Sequence, residues 1–190
     1  MKAHPSFHAS AAFVLAMCAF YWVDGLGLFW PFVLSAALHE GAHLAVLRLC
    51  RTPVKSIRLR MTGAVIQTGA MGYGQEALCA AAGPSMNLAL ALGFRRLWPE
   101  LCLISTVLAA YNLLPVYPLD GGRLVRALLL RLLGLEGGLR LARLISLLTV
   151  VGAAGLCVWL SCCRHLGLWP CIFAVLLLLK LPSDTHGHKF

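Results

Sequence analysis

Two histidines and a glutamate stand close together inside an apolar stretch of the sequence. His39, Glu40 and His43 form a His-Glu-x-x-His pattern within LFWPFVLSAALHEGAHLAVLRLC. In a helix, histidines four residues apart project from one face and can bind the same zinc ion, and the adjacent glutamate can accept a proton from a water that the metal activates. Polar side chains at membrane depth are costly and therefore mark functional sites. The pattern predicts a hydrolytic zinc site within the bilayer.

The composition is that of a membrane protein. Of the 190 residues, 60% are hydrophobic and 12% are charged, whereas soluble domains are typically about 45–50% apolar and about 25% charged. A spanning helix needs about 20 apolar residues. We therefore expect an all-α polytopic membrane protein with about six transmembrane helices, at about residues 10–23, 28–49, 76–94, 97–114, 141–160 and 166–181. A cleaved signal peptide remains an alternative for the first apolar run.

Two segments between the predicted spans have other patterns. Residues 57–61 alternate apolar and basic side chains as a strand does, Thr62-Gly63 can turn the chain, and residues 64–68 can form a second extended piece. We expect a short membrane-associated β-hairpin there, between the second and third spans. Residues 115–122 contain two prolines and two glycines, which predicts a non-helical segment. One domain over residues 1–182 and a disordered cytoplasmic tail over residues 183–190 complete the predicted organisation.

The basic residues are distributed as topology signals. The net charge is +9, but the 16 Lys and Arg residues fall mainly between the apolar runs, which argues against nucleic acid as a partner. With six spans and both termini in the cytoplasm, only Arg95, Arg96 and Arg164 lie outside. The positive-inside rule therefore predicts a multi-pass membrane protein with both termini cytoplasmic. No CxxC pair occurs among the eight cysteines, so neither a disulfide framework nor a cysteine zinc site is indicated.

The predicted zinc site needs a third protein ligand, because a catalytic zinc keeps three such ligands and an open position for water. Asp120 is the best candidate to join His39 and His43. It lies in the Pro- and Gly-rich segment, which can face a polar cavity, and in the same leaflet as the histidines. Glu76 lies on the same side but begins a helix, where an acidic residue favours the helix dipole.

Three segments carry a resemblance to a known family. The HEGAH pattern, the segment NLLPVYPLDG at Asn112–Gly121 and the segment GPSMN at residues 83–87 resemble motifs of the site-2 protease family of intramembrane zinc metalloproteases. The resemblance covers about residues 28–123. Six spans without a PDZ insertion look most like the branch of stage IV sporulation protein FB, whose frequent C-terminal CBS domain has no counterpart in these residues.

The resemblance implies a zinc-dependent intramembrane endopeptidase that cuts a membrane-anchored protein near the cytoplasmic face. One Zn²⁺ per chain would be bound by His39, His43 and Asp120. Glu40 would act as general base and then as acid to the leaving amine, and Asn112 would help to hold the substrate carbonyl. The hairpin resembles the family's edge strand, where an unwound substrate could pair as an added strand. The sporulation branch suggests a transcription-factor precursor as substrate.

Other interpretations stay open at this point. The two histidines can form a hydrogen-bonding pair between helices, Asp120 can belong to a turn or helix cap, and Asn112 can be a buried contact between helices. A structural role is favoured for Asn87. An intramembrane metal-ion transporter is one alternative function, although spans one, five and six have almost no polar interior residues. A catalytically silent regulator of the same fold is another. An inhibitory membrane partner and a homo-oligomer are also open.

Overall fold

The computed structural model describes residues 6–60 and 63–163, and helices dominate it. The elements in chain order are β1 Ser6–Ala9, α1 Ala11–Val23, α2 Phe29–Leu49, β2 Val54–Arg60, β3 Gly63–Thr68, α3 Tyr73–Phe94, α4 Pro99–Asn112 and α5 Asp120–Cys163. The chain divides into two compact units, Met1–Asn112 and Leu113–Phe190. The single domain over residues 1–182 stays a prediction. The predicted sixth span and the tail lie outside the described residues.

Helix α2 buries one face through side chains that are four residues apart. These buried residues are Pro31, Ser35, His39, His43 and Leu47. Positions four apart lie above one another on a helix surface, so the two histidines share their face with a serine one turn earlier. Much of the rest of the helix carries exposed apolar side chains, as expected where a helix borders lipid. The fold therefore brings both histidines to the packed side of α2.

Asp24 ends the first apolar run and prepares the start of α2. Its Oδ2 accepts a hydrogen bond from the backbone N–H of Phe29 at 2.8 Å, and its Oδ1 accepts from Leu28 at 3.0 Å and Leu26 at 3.3 Å. The first N–H groups of a helix have no partner within the helix, and this carboxylate satisfies one of them, that of Phe29, together with the N–H of the preceding residue Leu28. The bond from Phe29, followed by that from Leu28, lowers the pKa of Asp24.

Helices α3 and α4 pack against α2 within the first unit. Small residues such as Ala80, Gly83, Ser105 and Ala109 are buried on these two helices. Small side chains let membrane helices approach closely. Pro84 lies inside α3 and has no N–H to donate to the carbonyl four residues earlier. Helix α3 ends before the two arginines at positions 95 and 96, as predicted.

The predicted hairpin is present and belongs to a three-stranded sheet. Strands β2 and β3 pair antiparallel, with Arg60 opposite Gly63 and Arg58 opposite Val65. Strand β1 pairs parallel with β2, so that β2 is the central strand. Strand β1 was not predicted from the sequence. Its four residues are too few to show an alternating pattern, and its pairing depends on a strand far along the chain.

In the second unit, residues 113–119 are not helical, as predicted, but α5 already begins at Asp120. The prediction that Asp120, Gly121 and Gly122 belong to the non-helical segment is therefore wrong. A Cβ atom on Gly121 would lie 2.6 Å from the carbonyl oxygen of Leu114, and one on Gly122 would lie 2.5 Å from that of Val116. These glycines are needed because the preceding backbone folds tightly against the first turn of α5.

Helix α5 is broken at Gly134, where φ is 74° and the helical dihedrals are interrupted. A positive φ is readily adopted only by glycine. Residues 122–133, before the break, are rich in leucine and arginine, and the residues after the break include the predicted fifth span. The two parts of α5 are therefore separate helical segments in sequence pattern as well as in backbone geometry.

Three helices in the described part of the chain are long and apolar enough to cross a membrane. They are Phe29–Leu49, Tyr73–Phe94 and the described part of α5, Asp120–Trp159. Helices α1 and α4 have 13 and 14 residues, fewer than the about 20 that a perpendicular span requires. An integral membrane protein is supported, and the count of six spans belongs to the proposal below.

Candidate metal centre

His39 and His43 hold their ring nitrogens side by side on the buried face of α2. Their Nε2 atoms are 3.2 Å apart, and each residue is only 5% exposed. Two nitrogens bound to one tetrahedral zinc, each at about 2.0–2.1 Å from the metal, lie about 3.3 Å from each other. The observed separation of the two imidazoles therefore fits joint binding of one zinc ion.

A backbone carbonyl of α3 fixes the ring of His43. The Nδ1 atom of His43 lies 2.7 Å from the carbonyl oxygen of Cys79. Because a carbonyl oxygen only accepts, Nδ1 must carry the proton, and in the neutral ring Nε2 then presents its lone pair. This is the tautomer that a metal ligand requires, and such an outer contact is typical of zinc-binding histidines.

Gly83 leaves room beside both histidine rings. A Cβ atom on this residue would lie 2.6 Å from Nε2 of His39 and closer still to Nε2 of His43. Real Cβ contacts are essentially never that short, so no other residue fits without moving the rings. The space that this glycine keeps open adjoins both of the nitrogens expected to bind zinc.

A buried polar chain extends behind His39 across three helices. The Nδ1 atom of His39 lies 3.1 Å from Nδ2 of Asn87. The hydroxyl of Ser35 lies 3.4 Å from Oδ1 of Asn87 and 2.9 Å from the hydroxyl of Ser105. Asn87 and both serines are 0% exposed. The structural role favoured for Asn87 from sequence is thus incomplete, because its amide also contacts one of the two histidine rings.

Glu40 and Asp120 lie in different units of the chain and are described separately. Glu40 follows His39 in α2 and is half-buried. Asp120, predicted in a non-helical segment, is the first residue of α5 and is 7% exposed, with Arg123 one turn later at 3.8 Å from its Oδ1. In the first unit His39 and His43 are buried, and in the second unit Asp120 is buried, so each of these side chains is of a type and in a setting that suits a metal ligand. These residue types are consistent with zinc.

Asn112 is the last residue of α4 and is half-buried. Its Nδ2 donates to the carbonyl oxygen of Leu108 at 3.1 Å. That carbonyl lies four residues earlier in the same helix. The contact stays within α4, and binding of substrate by the Asn112 amide stays a prediction.

Comparisons with known proteins agree with this chemistry. Residues 92–154 match peptidase family M50. The Mycobacterium tuberculosis protein Rip3, which is named as a zinc metalloprotease, is 35% identical over 131 residues, a match that covers 58% of this chain and 33% of Rip3. The chain thus spans about a third of the length of this relative.

The fold as a whole is similar to that of a solved intramembrane protease. The site-2 protease from Methanocaldococcus jannaschii matches with a TM-score of 0.68 and 17% sequence identity, over 100% of this chain and 96% of that one. At this level of identity the likeness concerns the fold. The likeness in sequence is to peptidase family M50 over residues 92–154 and to Rip3 over 131 residues.

Proposed function

We propose that this protein is a zinc-dependent intramembrane endopeptidase that cleaves a membrane-anchored protein near the cytoplasmic face. The observation that carries the proposal is the pair of buried imidazoles whose Nε2 atoms lie 3.2 Å apart on a helix that is long and apolar enough to cross a membrane. His39 and His43 would bind one Zn²⁺ per chain. Zinc, when bound there, would supply Lewis-acid activation of water and of the peptide carbonyl.

Asp120 is the proposed third zinc ligand. Its carboxylate is buried at the start of α5, and carboxylate oxygens are among the ligands that zinc binds in proteins. The guanidinium of Arg123 lies 3.8 Å from Oδ1 of Asp120. Asp120 also lies within the residues that match peptidase family M50, which supports a role in that family's chemistry.

Glu40 is the proposed general base. Its position next to His39 places its carboxylate on the helix that carries both imidazoles, and its partial burial suits a group that must meet both water and substrate. It would take a proton from the attacking water and deliver it to the nitrogen of the leaving amine. Asn112 would help to hold the carbonyl of the scissile peptide.

The edge of the small sheet is the proposed docking place for substrate. In the described part of the chain, β3 is an outer strand that pairs with β2 along one edge. An exposed strand edge is able to pair with an added peptide strand. A transmembrane helix shields its peptide bonds with its own hydrogen bonds, so pairing with β3 would hold an unwound segment open for hydrolysis. A membrane-tethered transcription-factor precursor, as in the sporulation branch, is the proposed class of substrate.

The proposed topology has six spans with both termini in the cytoplasm of a bacterium. Arg48, Arg51, Lys55 and Arg58 then lie between spans two and three on the cytoplasmic side, in agreement with the positive-inside rule. Cleavage would take place near that face. An inhibitory membrane protein or a second copy of the chain would be a further partner within the same bilayer.

The decisive experiment compares wild type with Glu40→Gln in proteoliposomes that contain a panel of single-span substrates. Loss of general base catalysis is expected to slow cleavage by about 10²–10⁴-fold, while bound zinc is unchanged because Glu40 is not a ligand. Gly41→Ala is the matched control on α2, because an added Cβ there meets nothing within 4 Å. Cleavage by Glu40→Gln at the wild-type rate would contradict the role assigned to Glu40. Zinc uptake into the proteoliposomes by wild type, without cleavage of any substrate, would favour a transporter.

A further inference from the structure

We propose that Asn87 is a positioning residue that sets which ring nitrogen of His39 carries the proton. The inference rests on the proposed zinc site. It assigns a role to the buried chain from His39 through Asn87 and Ser35 to Ser105. In the zinc-bound protein, the side-chain oxygen of Asn87 would face Nδ1 of His39.

The contacts around His39 are compatible with two arrangements of protons. His43 donates from Nδ1 to the carbonyl of Cys79, so its Nε2 accepts. In the first arrangement, Nε2 of His39 donates across 3.2 Å to Nε2 of His43, while Nδ1 of His39 accepts from Nδ2 of Asn87 at 3.1 Å. The proton between the two Nε2 atoms then prevents both of them from binding zinc.

Zinc binding requires the second arrangement. Nε2 of His39 must present its lone pair, so Nδ1 carries the proton and becomes a donor. The amide nitrogen of Asn87 is also a donor, and two donors cannot satisfy each other. A half-turn of the amide exchanges its oxygen and nitrogen and leaves the side chain in place. The oxygen of Asn87 then accepts the proton of His39 Nδ1.

The serines behind Asn87 are suited to this exchange. A hydroxyl can both donate and accept, whereas a carbonyl could only accept. Ser35 therefore donates to the amide oxygen in one orientation and accepts from the amide nitrogen in the other, while Ser105 at 2.9 Å takes the complementary role. Because Asn87 and both serines are 0% exposed, bulk water cannot correct a mismatched pair of donors. The serines thus make Asn87 able to support the zinc-binding tautomer.

Two substitutions at position 87 separate this role from simple packing. Asn87→Asp presents oxygen acceptors in either orientation, so we expect the purified full chain in detergent to bind zinc at least as tightly as wild type in a chelator competition. Asn87→Leu retains the bulk but has no acceptor, and loss of such an outer partner is expected to weaken zinc binding by about 10–100-fold. Leu90→Ala is the control, because it removes a buried apolar side chain from the same helix and should lower the melting temperature with unchanged zinc affinity.

Nitrogen NMR of ¹⁵N-histidine-labelled protein gives the signature that packing alone would not produce. In zinc-loaded wild type, we expect the proton of His39 on Nδ1. In Asn87→Asp, we expect it there even without added zinc. Wild-type zinc affinity in both variants, or a proton on Nδ1 of His39 in wild type and Asn87→Asp alike before zinc is added, would overturn the inference. If Asn87→Leu does not fold, the position of the His39 proton in Asn87→Asp and in wild type still tests the inference.

The outcomes also distinguish this inference from the proposed function. If wild type binds zinc and Asn87→Leu binds it with the same affinity, the role of Asn87 is wrong while the zinc site stands. If wild type binds no zinc under conditions in which it is folded, the proposed function is wrong and this inference falls with it.

Discussion

At the scale of single residues, Gly83 is where helix α3 comes closest to both histidine rings. We expect Gly83→Ala to weaken zinc binding by at least about 10-fold, because its Cβ would lie 2.6 Å from Nε2 of His39 and push the ring aside. Gly93→Ala in the same helix is the matched control, since an added Cβ there meets nothing within 4 Å. Zinc titration of the two variants checks the prediction, and wild-type affinity in Gly83→Ala would contradict it.

Candidate metal-binding residues could be proposed from the sequence, but the contacts that orient their side chains could not. The pairing of His39 with His43 depends on helical periodicity over four residues, which is local and readable from spacing. The contact between Asn87 and His39 joins positions 48 residues apart and depends on how α3 is rotated against α2. The GPSMN segment signalled that α3 was unusual, but no pattern in it specified a hydrogen bond to a zinc ligand.

At the scale of elements, the start of α2 depends on Asp24. Its carboxylate accepts from the N–H of Phe29 and Leu28, so Asp24→Ala is expected to lower the melting temperature by leaving those groups without this partner. Asp24→Asn should lower it less, because one amide oxygen can still accept. Thermal unfolding in detergent, followed by circular dichroism, checks the order of the three proteins. An unchanged melting temperature in Asp24→Ala would contradict the capping role.

The carboxylate of Asp24 is also expected to make the melting temperature depend on pH. The bonds from Phe29 and Leu28 lower the pKa of Asp24 below its ordinary 3.8. A carboxyl group whose pKa is lower in the folded state stabilises the protein at pH values above its unfolded-state pKa. This stabilisation is lost as the pH falls through the folded-state pKa. The melting-temperature difference between wild type and Asp24→Asn should therefore be constant from about pH 5 to 8 and shrink in stronger acid. A melting-temperature difference that grows in acid would contradict a lowered pKa for Asp24.

The outer strand β3 can be tested by cross-linking. Val65 on β3 lies opposite Arg58 on the central strand, and both side chains are exposed. In a Glu40→Gln background, Val65→Cys is expected to form a disulfide with a single-cysteine substrate, because β3 is the strand with which substrate would pair. Arg58→Cys is the matched control one strand inward and should cross-link less. Equal cross-linking at both positions would argue against pairing along β3.

Elements with a strong local pattern were predicted, and those that depend on distant contacts were not. Alternation of apolar and basic residues indicated β2, and the proline and glycine residues indicated the break after α4. Strand β1 was missed because each of its residues pairs with a residue 50 positions later. Gly121 and Gly122 were assigned to the loop because glycine disfavours helices, but backbone crowding at the start of α5 requires them.

At the scale of the whole molecule, the proposed topology predicts which loops face the cytoplasm. Arg51 follows α2, Arg95 follows α3, and both side chains are exposed. In a variant without the native cysteines, Arg95→Cys should react with a membrane-impermeant maleimide added to intact cells, whereas Arg51→Cys should react only after the membrane is opened. The reverse pattern would show that the orientation is opposite to the proposed one. Reaction of both variants in intact cells would contradict the placement of the two loops on opposite sides of the membrane.

The most direct test of the central claim is the zinc content of the purified protein, measured by mass spectrometry at one fixed chelator concentration. The proposal predicts one zinc per chain in wild type and none in His39→Ala or Asp120→Ala. Glu136→Ala is the control, because this carboxylate lies in the same helix as Asp120 but on an exposed surface beside Arg140, and it should retain the metal. A full complement of zinc in Asp120→Ala would contradict the account.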